Sequence, residues 1–301
     1  MSHYAVLGVR KEGNPISLDE AMERYDENRE VEPYISKTYA ELTAEGRDMV
    51  DRYKDMEEIK SILDGMPMKD WIAKHGREYS SEERNIETYK YYKEKADQIK
   101  AESAGTWGDK EYHDFAIDDS DELDEEGNRL STYNPDSKWD WYVEGGRWPG
   151  QLKIKKSKVK EYGSSEVDSA KVGDVDWAAM NSLTDEQRER ATRLWKYYVM
   201  EEPYPGTEEE KREELGFIFY KKEYYLNRYK TLEGYLKSLG TWCLRAVIDD
   251  NGDWHEVGEM GWFGCSSETE DEDAKWEEEF YDRFIKPLPK DAMITVLDCH
   301  I

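Results

Sequence analysis

TWCLRAVIDDNGDWHEV, Thr241 to Val257, is the stretch on which the fold class turns. Its first part, Thr241 to Ile248, is apolar enough for a strand. Asp250-Asn251-Gly252-Asp253 follows, and Asn-Gly tolerates the positive φ angles of a tight hairpin turn. Trp254 to Val257 then runs back. Helical spacing covers Ala274 to Ile285, and MITVLDC, Met293 to Cys299, is a further strand with the apolar content of a sheet centre. At the other end of the chain HYAVLGV, His3 to Val9, reads as a short buried strand expected in the same sheet. The prediction is an α+β fold: a small sheet built from the N-terminal strand, a central aromatic block and a C-terminal ββαβ module, decorated by inserted helices. Two regions are expected. Residues 1–130 hold the first strand and a helical region; residues 131–301 hold the aromatic corner, a helical insertion and the C-terminal module, or the whole is one continuous domain.

Between these ends the apolar period is helical. Ser17 with Glu20 forms a capping box ahead of LDEAMERYDEN. Thr43 is placed at the start of a helix whose Met49, Val50, Tyr53, Met56, Ile59 and Ile62 recur at three- and four-residue steps. Ser80 with Glu83 opens another through Glu102, and Thr184 with Gln187 one through Met200. Thr207 with Glu210 caps a long tyrosine-rich helix through Tyr229. Asp118 to Glu126 and ETEDED, Glu268 to Asp273, read as exposed acidic loops, and Gly163 to Gly173 as a loop or a partly ordered linker.

The central block is KWDWYVEGGRWPG, Lys138 to Gly150. In a strand Trp139, Trp141 and Val143 share one face, and Asp140, Tyr142 and Glu144 the other. Gly145-Gly146 permits a bulge or a backbone approach too close for a Cβ. Two uses suit such a block. One is a rigid corner, its tryptophans in the core and Arg147 stacked or paired with Asp140 or Glu144. The other is a recognition patch, in which Trp139, Trp141 and Trp148 anchor a contact and Arg147 takes an anion beside a Gly-Gly nest.

The chain has 301 residues, 43 Lys plus Arg and 70 Asp plus Glu, a net charge of −27. That surplus repels nucleic-acid backbones and anionic membranes, so direct contact with either is not expected. It suits a basic protein partner or imitation of a polyanion, since 27 charges match roughly 46 Å of duplex DNA. The candidate contacts on a basic surface are Asp118, Asp119, Asp121 and Glu122 in one acidic run and Glu268, Glu270, Asp271 and Asp273 in the other. Eleven tryptophans and 22 tyrosines argue for a packed chain and for aromatics left at an interface. A lysine island, Lys153 to Lys160, interrupts the acidity.

No apolar run reaches membrane-spanning length and the first residues lack a signal-peptide pattern, which predicts an intracellular protein. Cys243, Cys265 and Cys299 are expected as free thiols. With His255 and His300 they match no paired-ligand spacing, so no metal is expected. Cys265 with His255 or His300 is the combination that would serve a thiol nucleophile and its base. No P-loop, dinucleotide fingerprint, HExxH or GxSxG occurs, and no cofactor is expected.

YNPDSKWDWYVEGGRWPG (Tyr133 to Gly150), WHEVGEMGWFGCSS (Trp254 to Ser267) and the terminal TVLDCHI (Thr295 to Ile301) together resemble a family of tailed-bacteriophage proteins that share a KWDWY…GGRW block and a DCHI-like end. The resemblance implies phage origin and residence in the host cytoplasm. By analogy with phage accessory proteins of this size it implies an inhibitor of host defence of the anti-restriction, anti-CRISPR or anti-Gabija kind. It carries no catalytic residue over. The function expected is therefore an acidic binding protein that occludes a host defence protein sterically and electrostatically, with a homo-oligomer allowed. The alternatives are an enzyme with its site near Cys265 and His300, or a structural phage protein.

Overall fold

The structure, a computed structural model, describes residues 2–216, 220–261 and 265–301. The chain divides into two compact units: Met1–Arg29 with Asn134–Ile301, and Glu30–Tyr133. Its strands are β1 (His3–Arg10), β2 (Tyr34–Lys37), β3 (Arg129–Ser131), β4 (Trp141–Glu144), β5 (Leu152–Lys153), β6 (Glu166–Val167), β7 (Ser169–Lys171), β8 (Ala246–Ile248), β9 (Trp254–Glu256) and β10 (Met293–His300).

The larger unit is built on a mixed sheet in the order β4-β10-β1-β8-β9, with β7 also paired to β10. β1 runs antiparallel to β10 along its whole length, His3 opposite His300 and Arg10 opposite Met293, and parallel to β8. Residues 1–29 therefore belong with the C-terminal module, because β1 is its central strand. The fold is α+β, as the strand–strand–helix–strand order predicts. The hairpin also forms where Asn-Gly predicts it. Gly252 takes φ +82° and donates its N–H to Asp249 O at 3.0 Å, and Asp249 N–H reaches Asp253 O at 3.0 Å.

Period-two alternation gives the sheet two buried faces. Tyr4, Val6, Ala246, Leu297 and Cys299 pack with Met22 of the helix Leu18–Glu23 and with Trp139. Leu7, Val9, Val247, Ile294 and Val296 pack on the other side with Trp276 and Phe280 of the helix Glu270–Phe280 and with Phe284. Phe280 is 1% exposed, and removing such a side chain costs roughly 3–5 kcal/mol.

Several expectations are corrected. Only Ala246–Ile248 of the stretch from Thr241 is strand. ETEDED is no loop: Thr269 caps a helix from Glu270, with Glu272 completing the capping box. Residues 163–173 carry β6 and β7, too short to show a period. The expected helix from Thr207 to Tyr229 is two helices, Glu208–Leu215 and Lys222–Tyr229, and the stretch expected to join them includes residues 217–219, outside the described residues.

The smaller unit packs the helices Tyr39–Asp55, Glu57–Leu63, Met68–His75, Glu82–Ser103 and Asp109–Ala116 around Val50, Ile59, Trp71, Ile99 and Phe115. Thr38, not Thr43, caps the first of these, in a capping box with Glu41. The predicted continuous helix breaks at Met56, whose ψ of 132° is extended. Ser81, one residue past the predicted cap, opens the fourth. β2 and β3 pair as a two-stranded sheet.

Candidate functional site

The apolar face formed by Leu7, Val9, Ile294 and Val296 turns polar toward one end of the sheet. The residues continuing that alternation are His3 on β1 and Asp298 and His300 on β10. His3 Nδ1 lies 2.8 Å from Asp298 Oδ1, and His300 Nδ1 lies 2.6 Å from Asp140 Oδ1. The two imidazoles stand edge to face with centroids 4.8 Å apart. Trp141 stacks on His300 at 5.1 Å and meets His3 edge-on at 5.2 Å. Asp298 is 1% exposed, whereas Trp141 is 44% exposed.

The aromatic block reaches this cluster through a bulge. Trp141 opposes His300 in the register, and Asp140 N–H also reaches His300 O at 3.0 Å, so two residues face one. The extra residue shifts the alternation, which corrects the expectation that Trp139 and Trp141 share a face. Trp139 is buried against the opposite face, its ring 4.8 Å from that of Tyr142.

The glycine pair permits the close approach predicted for it. A Cβ on Gly145 would meet Asp168 Cγ at 2.5 Å, and one on Gly146 would meet Asp298 Cβ at 2.4 Å. The Gly-Gly donors expected to cradle an external anion are taken by the protein's own carbonyls, Gly145 N–H by Val296 O at 2.9 Å and Gly146 N–H by Glu144 O at 2.8 Å, and the amides that follow by its carboxylates. Arg147 N–H donates to Asp298 Oδ2 at 2.9 Å, and Gly150 N–H to Asp168 Oδ1 at 2.5 Å. This removes the anion nest. The Arg147 side chain is exposed and Trp148 is half-buried.

The acidic candidates separate into two kinds. Three are spent inside the fold. Asp121 accepts from Arg129 at 2.7 Å. Glu268 holds Arg245 through two bonds of 2.6 and 2.5 Å, which bring its carboxyl from 4.5 down to about 2. Asp273 accepts from Arg228 at 2.8 Å. The others, Asp118, Asp119, Glu122, Glu270 and Asp271, are exposed. Asp118 is pulled below its usual range by the Ser120 backbone N–H and hydroxyl.

The cysteines do not gather. Cys243 packs with one sheet face and Cys299 with the other, and burial raises both thiols, Cys243 to about 12. Cys265 is exposed, and its carbonyl accepts from Gly261 N–H at 2.7 Å. His255 Nε2 is bonded to Asp249 at 3.0 Å. Among the described residues no group of three or more His, Cys, Asp or Glu could hold a metal ion, and no helix is long and apolar enough to cross a membrane. Three clefts lie open on the surface, one near Tyr89 and Trp107, one near Leu232 and Leu236, and a charged one near Arg24, His255 and Arg283. None of these three is lined by His3, His300 or Asp298.

Sequence reasoning misses His3 altogether and leaves Asp140 and Asp298 among many acids. Their signal is nonetheless present: His3 lies on the parity of the strand that buries Leu7 and Val9, and Asp298 and His300 stand two apart on the last strand. No protein-family model, curated protein or solved structure matches this chain.

Proposed function

We propose that the chain is a phage-encoded binding protein that covers a basic surface of a bacterial host protein, a defence component, and so inhibits it. The observation that supports this reading is the charge of −27 with carboxylates facing solvent, as at Asp118, Asp119 and Glu122 in one unit and Glu270 and Asp271 in the other. Such a field steers association with a basic partner and fixes its orientation. Asp121, Glu268 and Asp273 are excluded from the contact, since each already holds an arginine. The test is capture of a host protein whose affinity falls steeply with added salt. Asp118→Lys, Asp119→Lys and Glu122→Lys together, or Glu270→Lys with Asp271→Lys, should weaken that capture. Salt-independent capture unchanged in both variants would overturn the reading.

The paired His–Asp contacts favour a second reading, an acid–base site. Each Nδ1 is held by a carboxylate, which orients the ring and leaves Nε2 for proton exchange. It moves the enzyme alternative from Cys265 to His3 and His300. Hydrolysis of model esters or phosphodiesters by the purified chain, lost in both His3→Gln and His300→Gln, would support it; hydrolysis unaffected by both would overturn it.

A further inference from the structure

We infer that the free edge of β4 takes an extended segment of a partner protein as an added strand, one in which apolar and basic residues alternate. The inference rests on the binding-protein reading and names the surface and the chemistry of what it holds. β4 ends the strand path of the main sheet. Gly145 N–H reaches Val296 O at 2.9 Å, and antiparallel alternation from that bond gives the N–H and C=O groups of Val143 and Trp141 to β10. The N–H and C=O of Tyr142 and the N–H of Glu144 then point away from the sheet.

The other edges differ. On β9 the Trp254 N–H donates to the Tyr25 hydroxyl at 3.0 Å, and on β7 the Lys171 N–H donates to the Tyr162 hydroxyl at 3.1 Å. A tyrosine from elsewhere in the fold blunts each of these. The chain just before β4 is bonded and bulged, Glu27 N–H donating to Trp139 O at 2.7 Å and Asn28 Nδ2 to Asp140 O at 2.9 Å, but β4 itself carries no lysine or proline and leaves Trp141 and Val143 exposed at 44% and 45%.

The two faces of β4 specify the occupant. Trp141 and Val143 offer apolar surface on one face, and Trp141 is held by stacking on His300, so it is ordered before a partner arrives. On the other face stand the exposed Glu144 and the half-buried Tyr142, whose hydroxyl donates to the exposed Asp19 at 2.6 Å. Cross-strand neighbours pair by face, so an incoming strand places apolar side chains over Trp141 and Val143 and Lys or Arg beside Glu144 and Asp19. A second copy of the chain would bring another −27 to the same edge, so charge selects a basic partner over self-pairing.

The test uses the full chain labelled with ¹⁵N and a capped peptide of alternating lysine and valine. The amide signals of Tyr142, Val143 and Glu144 should shift, and hydrogen exchange at Tyr142 should slow. Trp141→Ala and Glu144→Lys should each weaken binding roughly tenfold, as loss of an interface anchor does. Glu144 is exposed, so its variant reports on the edge even if Trp141→Ala disturbs the histidines. A glutamate–valine peptide binding equally well would overturn the inference, as would Glu144→Lys binding undiminished. So would a β4-paired dimer in peptide-free solution. Lysine-rich peptides that shift only the residues around Asp118 or Glu270 would sink the β4 site and leave the binding reading standing. If polylysine shifts no carboxylate-bearing segment, that reading falls as well.

Discussion

Gly146 concentrates the constraint at the corner. It sits at φ +51° with Asp298 where its Cβ would be, and the same carboxylate holds His3 and the Arg147 N–H. Gly146→Ala carries both a left-handed backbone penalty and displacement of a buried acid, together roughly 2–4 kcal/mol. Gly13 is the control: its φ is +82°, but among the described residues none beyond its chain neighbours lies within 4 Å of the point an alanine methyl would occupy, so Gly13→Ala should lose only the backbone part, about 1–2 kcal/mol. Urea denaturation of the two variants measures the difference. Asp298→Asn keeps the shape but gives up acceptor capacity to two donors, and should cost about 1–3 kcal/mol by the same measurement. The sequence shows that Gly145-Gly146 marks a close approach, because only glycine tolerates one. It does not show what approaches: Asp168 and Asp298 are brought there by sheet pairing, and nothing local to either encodes it.

Glu268 is tied by an ion pair to Arg245, the residue before β8. The folded carboxyl titrates at about 2 against 4.5 when free, so the unfolded chain takes up the proton first as pH falls. The pair's contribution is whole above pH 4.5 and drains away toward pH 2. Glu268→Gln should be less stable than the parent at neutral pH, with the gap in urea midpoints closing across that window. A gap independent of pH would show that the pair contributes through packing alone. Elements with local signals are legible in the sequence. The capping boxes at Ser17, Thr184 and Thr207 stand where Ser or Thr precedes Glu or Gln by three residues. Thr38 and Thr269 carry the same pattern, but the first competes with Thr43 further along and the second lies inside an acidic run that resembles a loop. β2, β5, β6 and β7 span two to four residues, too few for alternation to register, and their existence depends on partners distant in sequence. The bulge at Asp140 leaves no local trace either, and the correct face for Trp139 is hidden with it.

The chain leaves the larger unit and returns to it at neighbouring points. The Asn134 side chain donates to Arg24 O at 2.8 Å and to Asp26 O at 3.0 Å, tying the two pieces of the larger unit where the chain departs and returns. Replacing Glu30–Tyr133 by a short Gly-Ser linker should leave Met1–Arg29 with Asn134–Ile301 folded, seen as one cooperative thermal transition. Loss of that transition would show that the larger unit depends on the insertion. The net charge acts on the whole chain through self-repulsion, so added salt should raise the melting temperature. The pairing of β1 with β10 has one more consequence, for the moment of synthesis. The two middle strands of the main sheet are the earliest and the latest to leave the ribosome. At ~5–20 residues per second, β1 waits roughly 15–60 s for its neighbour, holding Val6, Leu7 and Val9 without a lasting partner. The inserted helices, which pack around a core of their own, can settle during that interval, so the nascent chain meets the cell's chaperones half-built, with its sheet still open.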